Sequence, residues 1–325
     1  MAFKRAIVTA VAPLRILIDG DTVPIPFTPK SLIDPATLAV GDVVHADQSG
    51  HRLVVLGRAG GLGLLSGRNL IINGNFRTNQ RGYASGASLA IDEYSFDRWK
   101  CANTGQTLTF TAAPQGQLVT LSVNTGSIQI VERGNLPAGD YVLSWEGTAE
   151  GRVYKSGASI PTATVSPIRI AADGTADYYV HIVAIGATKT VGKVQFEAGN
   201  VPTIFSASLL GQELALCQRF YYNPLLDITN ASAMIAQGTA DSTTNARIIV
   251  PLAVPMRATP TLVTSGAFGL YNGTTTTVTS IILSSWSTSA VPVLYVGASG
   301  LTANRSYLFK RDNSASAKIA FDSEL

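Results

Sequence analysis

Residues 69–99, NLIINGNFRTNQRGYASGASLAIDEYSFDRW, decide how the rest of the chain is read. The stretch follows a run of glycines and opens on a short apolar segment, Leu70 to Ile72, which reads as a strand. Asn73-Gly74-Asn75 is a turn signal, because Gly and Asn enter positive φ at little steric cost. Phe76 and Trp99 supply large apolar bodies for a sandwich core. Further on, KVQFEAGN (residues 193–200) reads as a closing strand with its turn. Between the two lie strand-and-turn patterns: 108–111, 118–123, 128–132, 140–146, 152–155, 164–171 and 178–185. Short strands at even spacing mark a β-sandwich or jelly roll. Residues 69–205 are therefore expected to form one jelly-roll sandwich, with Trp99 and Trp145 in its core.

Composition narrows the class. Hydrophobic residues make up 46% of the chain and charged ones 14%, which excludes a disordered chain and leaves an outer surface of Thr, Ser, Asn, Gly and Ala. Such a surface suits an extracellular or virion β-protein, or faces covered by identical subunits. A net charge of +3 without a Lys/Arg cluster offers no phosphate track, so nucleic acid is not an expected partner. Cys101 and Cys217 do not make a disulfide framework and are expected as buried thiols. The opening MAFKRAIVTAV lacks the apolar core of a secretory signal. No run approaches the ~20 apolar residues of a membrane span. The expectation is synthesis in the cytoplasm and export by assembly into a particle.

The flanks are read in the same way. Residues 1–60 alternate strongly, with strands at 5–11, 14–18, 42–47 and 51–56, and Pro24, Pro26, Pro29 and Pro35 forbid a regular element between them. This pattern suits a small OB-like barrel. OB barrels that hold oligonucleotides carry a basic groove with aromatics, whereas this segment has Phe3 and Phe27 alone. An attachment domain is the better reading. Residues 61–68, overlapping the glycine-rich run 57–67, read as a linker, because a phosphate loop needs a Gly-Lys-Ser/Thr that is absent here. Residues 206–222 hold the one helix, expected over 208–222 with Ser208 as N-cap and Leu210, Leu214, Cys217 and Tyr221 on one stripe. Glu213 and Arg219 agree with the helix dipole, and Pro224 stops it. A helix this short and apolar must pack on a domain or on its own copies. Residues 223–325 are again β-rich, with one strand spanning 276–286, and read as a sandwich-like, trimerising or receptor-binding tip. The fold class is thus mostly β: OB-like barrel, jelly roll, one short helix and a C-terminal β-domain.

Little of this carries catalytic chemistry. His45, His51 and His181 are scattered and lack metal-ligand company. No GxSxG elbow occurs, and neither cysteine has a histidine near it in sequence. A glycosidase needs two carboxylates across a sugar ring. Asp92, Glu93 and Asp97 form one acidic cluster, with Glu146 and Glu150 a looser second, and loop carboxylates are usually solvated. No catalytic residue is expected. Sugar binding needs only an exposed aromatic and a few planar polar groups. Tyr83 and Tyr94, in a Gly/Ser/Ala-rich loop, are the platform candidates, with Asp92, Asp97 and Arg98 as polar partners.

A resemblance rests on strings spread over the chain. NLIINGNF at Asn69, DRWK at Asp97, KVQFEAG at Lys193 and GQELALCQRFYY (residues 211–222) are similar to bacteriophage tail-fibre and minor tail proteins. These carry a jelly-roll, carbohydrate-binding-module-like domain. The opening TAVAPLRILIDGDTVPIPFTPKSLIDPATLAVGDVVHA resembles the first segment of tail proteins from phages of actinobacteria, and VPMRATPTL (residues 254–262) resembles their C-terminal domains. The resemblance implies a structural, receptor-binding component of the virion tail. Residues 1–60 would dock on other tail or baseplate proteins, and a homotrimer would touch a host surface glycan. It also implies a structural calcium where the first and last strands meet, with an acid directly after the Phe of NGxF. Arg77 stands there, and although Asn75 and Glu197 are near in pattern, no metal and no other cofactor is expected. The rival readings are a capsule depolymerase and a connector without ligand.

Overall fold

The structure is a computed structural model that describes residues 2–38, 40–49, 52–58, 69–103, 105–226 and 228–324. The chain divides into two units, Met1–Arg68 and Asn69–Leu325. His51 and the glycine-rich linker expected at residues 61–68 lie outside the described residues. Among the described residues no helix is long and apolar enough to cross a membrane.

The first unit is a five-stranded sheet of β1 (Ala2–Val11), β2 (Leu14–Ile18), β3 (Lys30–Ser31), β4 (Val43–Ser49) and β5 (Arg52–Arg58). Its order is β2-β1-β4-β5-β3, with every pair antiparallel except β3 and β5. Strands β2 and β3 stand at the two edges of this order, β2 paired with β1 and β3 with β5. Alternation builds the core: Leu14, Ile16 and Ile18 of β2 point inward with Ala6, Val8, Val44, Ala46, Leu53 and Val55. Asp34 caps the 3-10 turn Pro35–Thr37 by accepting from Ala36 N at 2.9 Å.

The second unit holds two sandwiches. The strands of the first are β6 (Ser88–Leu89), β7 (Lys100–Cys101), β8 (Gln106–Ala113), β9 (Gly116–Leu121) and β10 (Thr125–Val131). They continue with β11 (Gly139–Gly147), β12 (Glu150–Lys155), β13 (Ile168–Ala172), β14 (Tyr178–Ala184) and β15 (Lys189–Ala198). A four-stranded sheet, β12-β14-β10-β7, and a six-stranded sheet, β13-β11-β15-β9-β8-β6, share one core. Trp99, Phe76 and Phe96 lie fully buried there, with Phe76 and Trp99 ring centroids 5.0 Å apart. Trp145 joins them, its indole N–H donating to Ala149 O at 3.0 Å.

After α1 (Leu210–Gln218) and β16 (Tyr221–Tyr222) the chain builds the second sandwich. Its strands are β17 (Met234–Ala240), β18 (Asn245–Ile249), β19 (Thr261–Ser265), β20 (Phe268–Tyr271) and β21 (Thr275–Thr277). β22 (Ser280–Leu283), β23 (Val293–Gly297), β24 (Ser306–Arg311) and β25 (Lys318–Asp322) complete it. A seven-stranded sheet, β21-β20-β24-β17-β18-β23-β22, lies with a three-stranded one, β16-β25-β19, around a core of Leu270, Phe309, Ile319 and Phe321. The strand expected over 276–286 is broken into β21 and β22.

Two further expectations are corrected. Leu70 to Ile72 is not a strand; side-chain amides replace the ladder. Asn69 Oδ1 accepts from Ile71 N and Phe196 N, and Gln129 both accepts from and donates to the backbone of Ile72. The helix is shorter than expected, and Leu209 rather than Ser208 stands at its N-cap without a side-chain bond. Its buried side chains are Glu213 and Cys217, while Leu210 and Leu216 are exposed. Glu213 is therefore not a solvated dipole partner: its carboxylate accepts from Asn73 N, tying the helix to the sandwich. In the turn itself Asn73 takes the positive φ, at 58°, and Gly74 is needed for closeness, since a Cβ there would overlap the Val194 carbonyl.

Candidate functional site

The loop from Asn73 to Trp99 has little regular structure, and buried side chains shape it. Asn73 Nδ2 donates to Thr78 O at 2.8 Å and Asp97 O at 3.1 Å, and its Oδ1 accepts from Thr78 N. Trp99 Nε1 donates to Asn73 O at 3.0 Å. These bonds pin both ends of the loop, so Gln80 to Tyr94 projects against the second sandwich.

There the loop meets strands β16 and β25. Gln80 Nε2 donates to Tyr221 O at 2.8 Å and Asn223 Nδ2 donates to Gln80 O at 3.0 Å. The Arg81 guanidinium sits 3.8 Å from the Tyr221 ring centroid and 4.6 Å from that of Tyr94. Its nitrogens reach Asp322 at 3.0 Å and Glu324 at 3.3 Å. Burial works against the Arg81 charge, but Asp322 and Glu324 together hold its pKa above the ordinary value. Burial also pushes the Tyr221 hydroxyl up to about 12, with Arg81 opposing, so it stays protonated.

Beside this stack opens a cleft of about 370 Å³, lined in part by Arg81, Tyr83, Ser88, Glu93, Tyr94 and Lys318. Lys318 Nζ donates to Arg81 O at 3.1 Å, and burial beside Arg81 lowers its pKa. Glu93 Oε2 accepts from Ala90 N at 2.9 Å and the residue is exposed. Ser88 is exposed as well. The cleft thus offers an aromatic edge, a hydroxyl, one acid and two basic groups, Arg81 and Lys318, a set suited to recognising sugar hydroxyls.

The residues expected from sequence separate here. Tyr83 and Tyr94 both line the cleft. Tyr83, however, is not an exposed platform: it is buried, its hydroxyl donates to Ala87 O at 2.6 Å, and the same Tyr83 hydroxyl oxygen accepts from Leu108 N at 2.9 Å. Asp92 is exposed and pairs with Lys100 at 3.0 Å, away from the lining. Asp97 and Arg98 are also corrected, since both are buried. Arg98 pairs with Glu324, donates to Ile130 O at 2.8 Å and covers the Phe220 ring at 3.6 Å. Its φ of 71° is held by those contacts. Asp97 Oδ2 accepts from Gln80 N at 3.1 Å and Gln80 Nε2 at 3.2 Å. Burial raises its carboxyl to about 6, with the Gln80 bonds and Arg81 opposing. Among the described residues Asp97 Oδ1 and Gln80 Oε1 are both buried acceptors without a hydrogen-bond partner.

Sequence reading missed Arg81, Glu93 as a lining residue, Tyr221 and Lys318. The available signal was the NQRGY string, which sets an arginine beside the platform tyrosine. A second cleft, about 450 Å³, lies on the six-stranded sheet between Ser144, Glu146, Lys193, Gln195 and the segment 202–205. That segment is strapped down by Glu197, which accepts from Thr203 N and Oγ1 at 2.8 Å. Among the described residues no three His, Cys, Asp or Glu side chains cluster to hold a metal. His181 is buried, its Nδ1 accepting from Arg152, and burial followed by Arg152 lowers it to about 3. Both cysteines are buried thiols.

No protein-family model matches the chain, and no curated protein does. Among solved structures it is similar to a cycloisomaltooligosaccharide glucanotransferase of Paenibacillus sp., complexed with cycloisomaltoheptaose, at 9% identity and a TM-score of 0.20. The match covers 72% of this chain and 47% of that one, so this chain spans about half of that protein's length. A likeness this slight carries no argument.

Proposed function

We propose that this chain is a non-catalytic, glycan-adhering structural protein of a bacteriophage tail. The observation that carries the reading is the Arg81 cleft. It presents aromatic, hydroxyl, acidic and basic groups to one sugar-sized space, and among its described lining residues Glu93 is the sole carboxylate. Hydrolysis of a glycosidic bond needs a second one opposite. The acids that a depolymerase would draw on stand apart, Asp92 at the surface with Lys100 and Asp97 sealed beneath Gln80. The strings shared with tail-fibre and minor tail proteins support the same reading.

In this proposal residues 1–60 dock on other tail or baseplate proteins, the mature protein resides in the virion tail, and three copies form the working fibre. Exposed Ile204, Leu209, Leu210 and Leu216 support coverage by like chains. Multiple copies turn weak sugar contacts into avidity. The test is to incubate the full chain with host envelope polysaccharide and measure both retention and released oligosaccharide. Retention without release is expected, falling several-fold in a Glu93→Gln, Lys318→Met double variant. Released oligosaccharide would establish the depolymerase, and absent retention the connector.

A further inference from the structure

Of the three tryptophans, Trp99 and Trp145 are 0% and 7% exposed, but Trp286 is 63% exposed. Tryptophan is enriched at interfaces, where one part of the ring is covered and another is wet. Trp286 sits in residues 284–292, the connection between β22 and β23. That connection is rigid by its own bonds. Trp286 N donates to Ser284 Oγ at 3.3 Å, and Ser287 Oγ both donates to Val293 O and accepts from Val293 N at 3.0 Å. Thr288 Oγ1 accepts from Val291 N at 3.0 Å, and Met256 N donates to Ser289 O at 2.8 Å.

The ring is fixed too. The Arg247 guanidinium lies 3.8 Å from its centroid, and Asp241 holds Arg247 Nε at 2.6 Å. One π face is therefore occupied and its orientation set in advance, while the exposure leaves the other face to solvent. Around it the sheet register places Tyr295 beside Arg247 and Ile282 beside Tyr295, with Ile249 in the next row. Ile249 and Ile282 are 54% and 58% exposed. The two charges of the patch neutralise each other, so a neutral ligand fits it best. The rim supplies hydroxyls from Ser284, Ser285 and Thr288.

We propose that Trp286 is a stacking platform for a neutral pyranose carrying an N-acetyl or 6-deoxy methyl group, separate from the Arg81 cleft. The C–H face of such a sugar bears partial positive charge that matches the negative face of the indole. Its methyl group meets Ile249 and Ile282, and its hydroxyls meet Ser285 and the remaining Arg247 N–H donors. Preorganisation of ring and loop lowers the ordering cost of binding. The ligand class rests on the reading of the chain as a glycan adhesin; the location does not. Arginine and tryptophan also mark protein interfaces, and the test separates that outcome.

The full chain is titrated with triacetylchitotriose and with methyl α-L-rhamnoside. Because the other two tryptophans are buried, acrylamide quenching of fluorescence reports Trp286. A saturable blue shift and a several-fold fall in quenching are expected with one of these sugars. Saturation-transfer NMR signals on that sugar should vanish in Trp286→Ala, whose circular dichroism and Tm should match the parent chain. Persisting transfer in that variant, in a chain that still retains host polysaccharide, overturns the platform and leaves the adhesin reading standing. A chain that retains neither polysaccharide nor probe overturns both. Quenching that falls with protein concentration alone shows a second copy covering the ring and also overturns the platform.

Discussion

Two places in this molecule use the same three groups. At one, Arg81 lies over Tyr221 and Tyr94 and pairs with Asp322 and Glu324, while Arg98 covers Phe220 and pairs with Glu324. At the other, Arg247 lies over Trp286 and pairs with Asp241. In the first set the Arg98 and Glu324 side chains are shut between two sandwiches, 2% and 5% exposed; the second set faces water. Identical chemistry thus serves as cement in one setting and as a prepared surface in the other. Solvent makes the difference, because water screens an exposed pair and cannot compensate a buried one that loses its partner.

The comparison breaks most sharply at Glu324. Glu324→Ala strands Arg98 in the interior and should cost about 3–5 kcal/mol in urea unfolding of the full chain. A loss of only a few tenths would mean that the junction is wet.

Asp97 tests the same junction by pH. Its folded value of about 6 lies above the ordinary 3.8, so the folded chain holds the proton more tightly than the unfolded chain does. This contribution is fully present below about pH 4 and is lost as pH rises through 6, to the extent of about 3 kcal/mol. Asp97→Asn cannot ionise. Its stability should exceed that of the parent chain at pH 8 and approach it near pH 4.5, as read by chemical denaturation at both values. Parallel profiles would contradict a buried, protonatable Asp97.

A backbone version follows at Gly74. Gly74→Ala pushes a methyl into the Val194 carbonyl and should cost about 1–3 kcal/mol, with Tm lowered accordingly. The smallest effect belongs to the exposed set. Asp241→Asn should change stability by less than about 1 kcal/mol. It should nevertheless broaden the acrylamide quenching of Trp286, because the guanidinium loses its anchor.

Much of the fold was legible in short-range pattern. Alternation located β2, β11, β14 and β15, and the large apolar bodies of Phe76, Trp99 and Trp145 declared the sandwich core. The limits were long-range. Nothing near Arg98 announces a partner 226 residues away at Glu324, and without that partner a loop arginine beside acids reads as surface. Tyr83 failed as a platform for the same reason, its hydroxyl being claimed by Leu108 on β8. Leu70 to Ile72 has strand composition, yet amides from Asn69 and Gln129 take the ladder's place, a substitution that periodicity does not register. Tyr94 and Tyr83 did indicate the cleft, whereas Tyr221 and Lys318 come from strands that only folding brings to it.

The most direct test of the central claim is equilibrium sedimentation of the full chain with host envelope polysaccharide, scored together with the reducing ends released. The account predicts saturable co-sedimentation and no rise in reducing ends. A chain that stays in the supernatant, or one that liberates oligosaccharide, would contradict it.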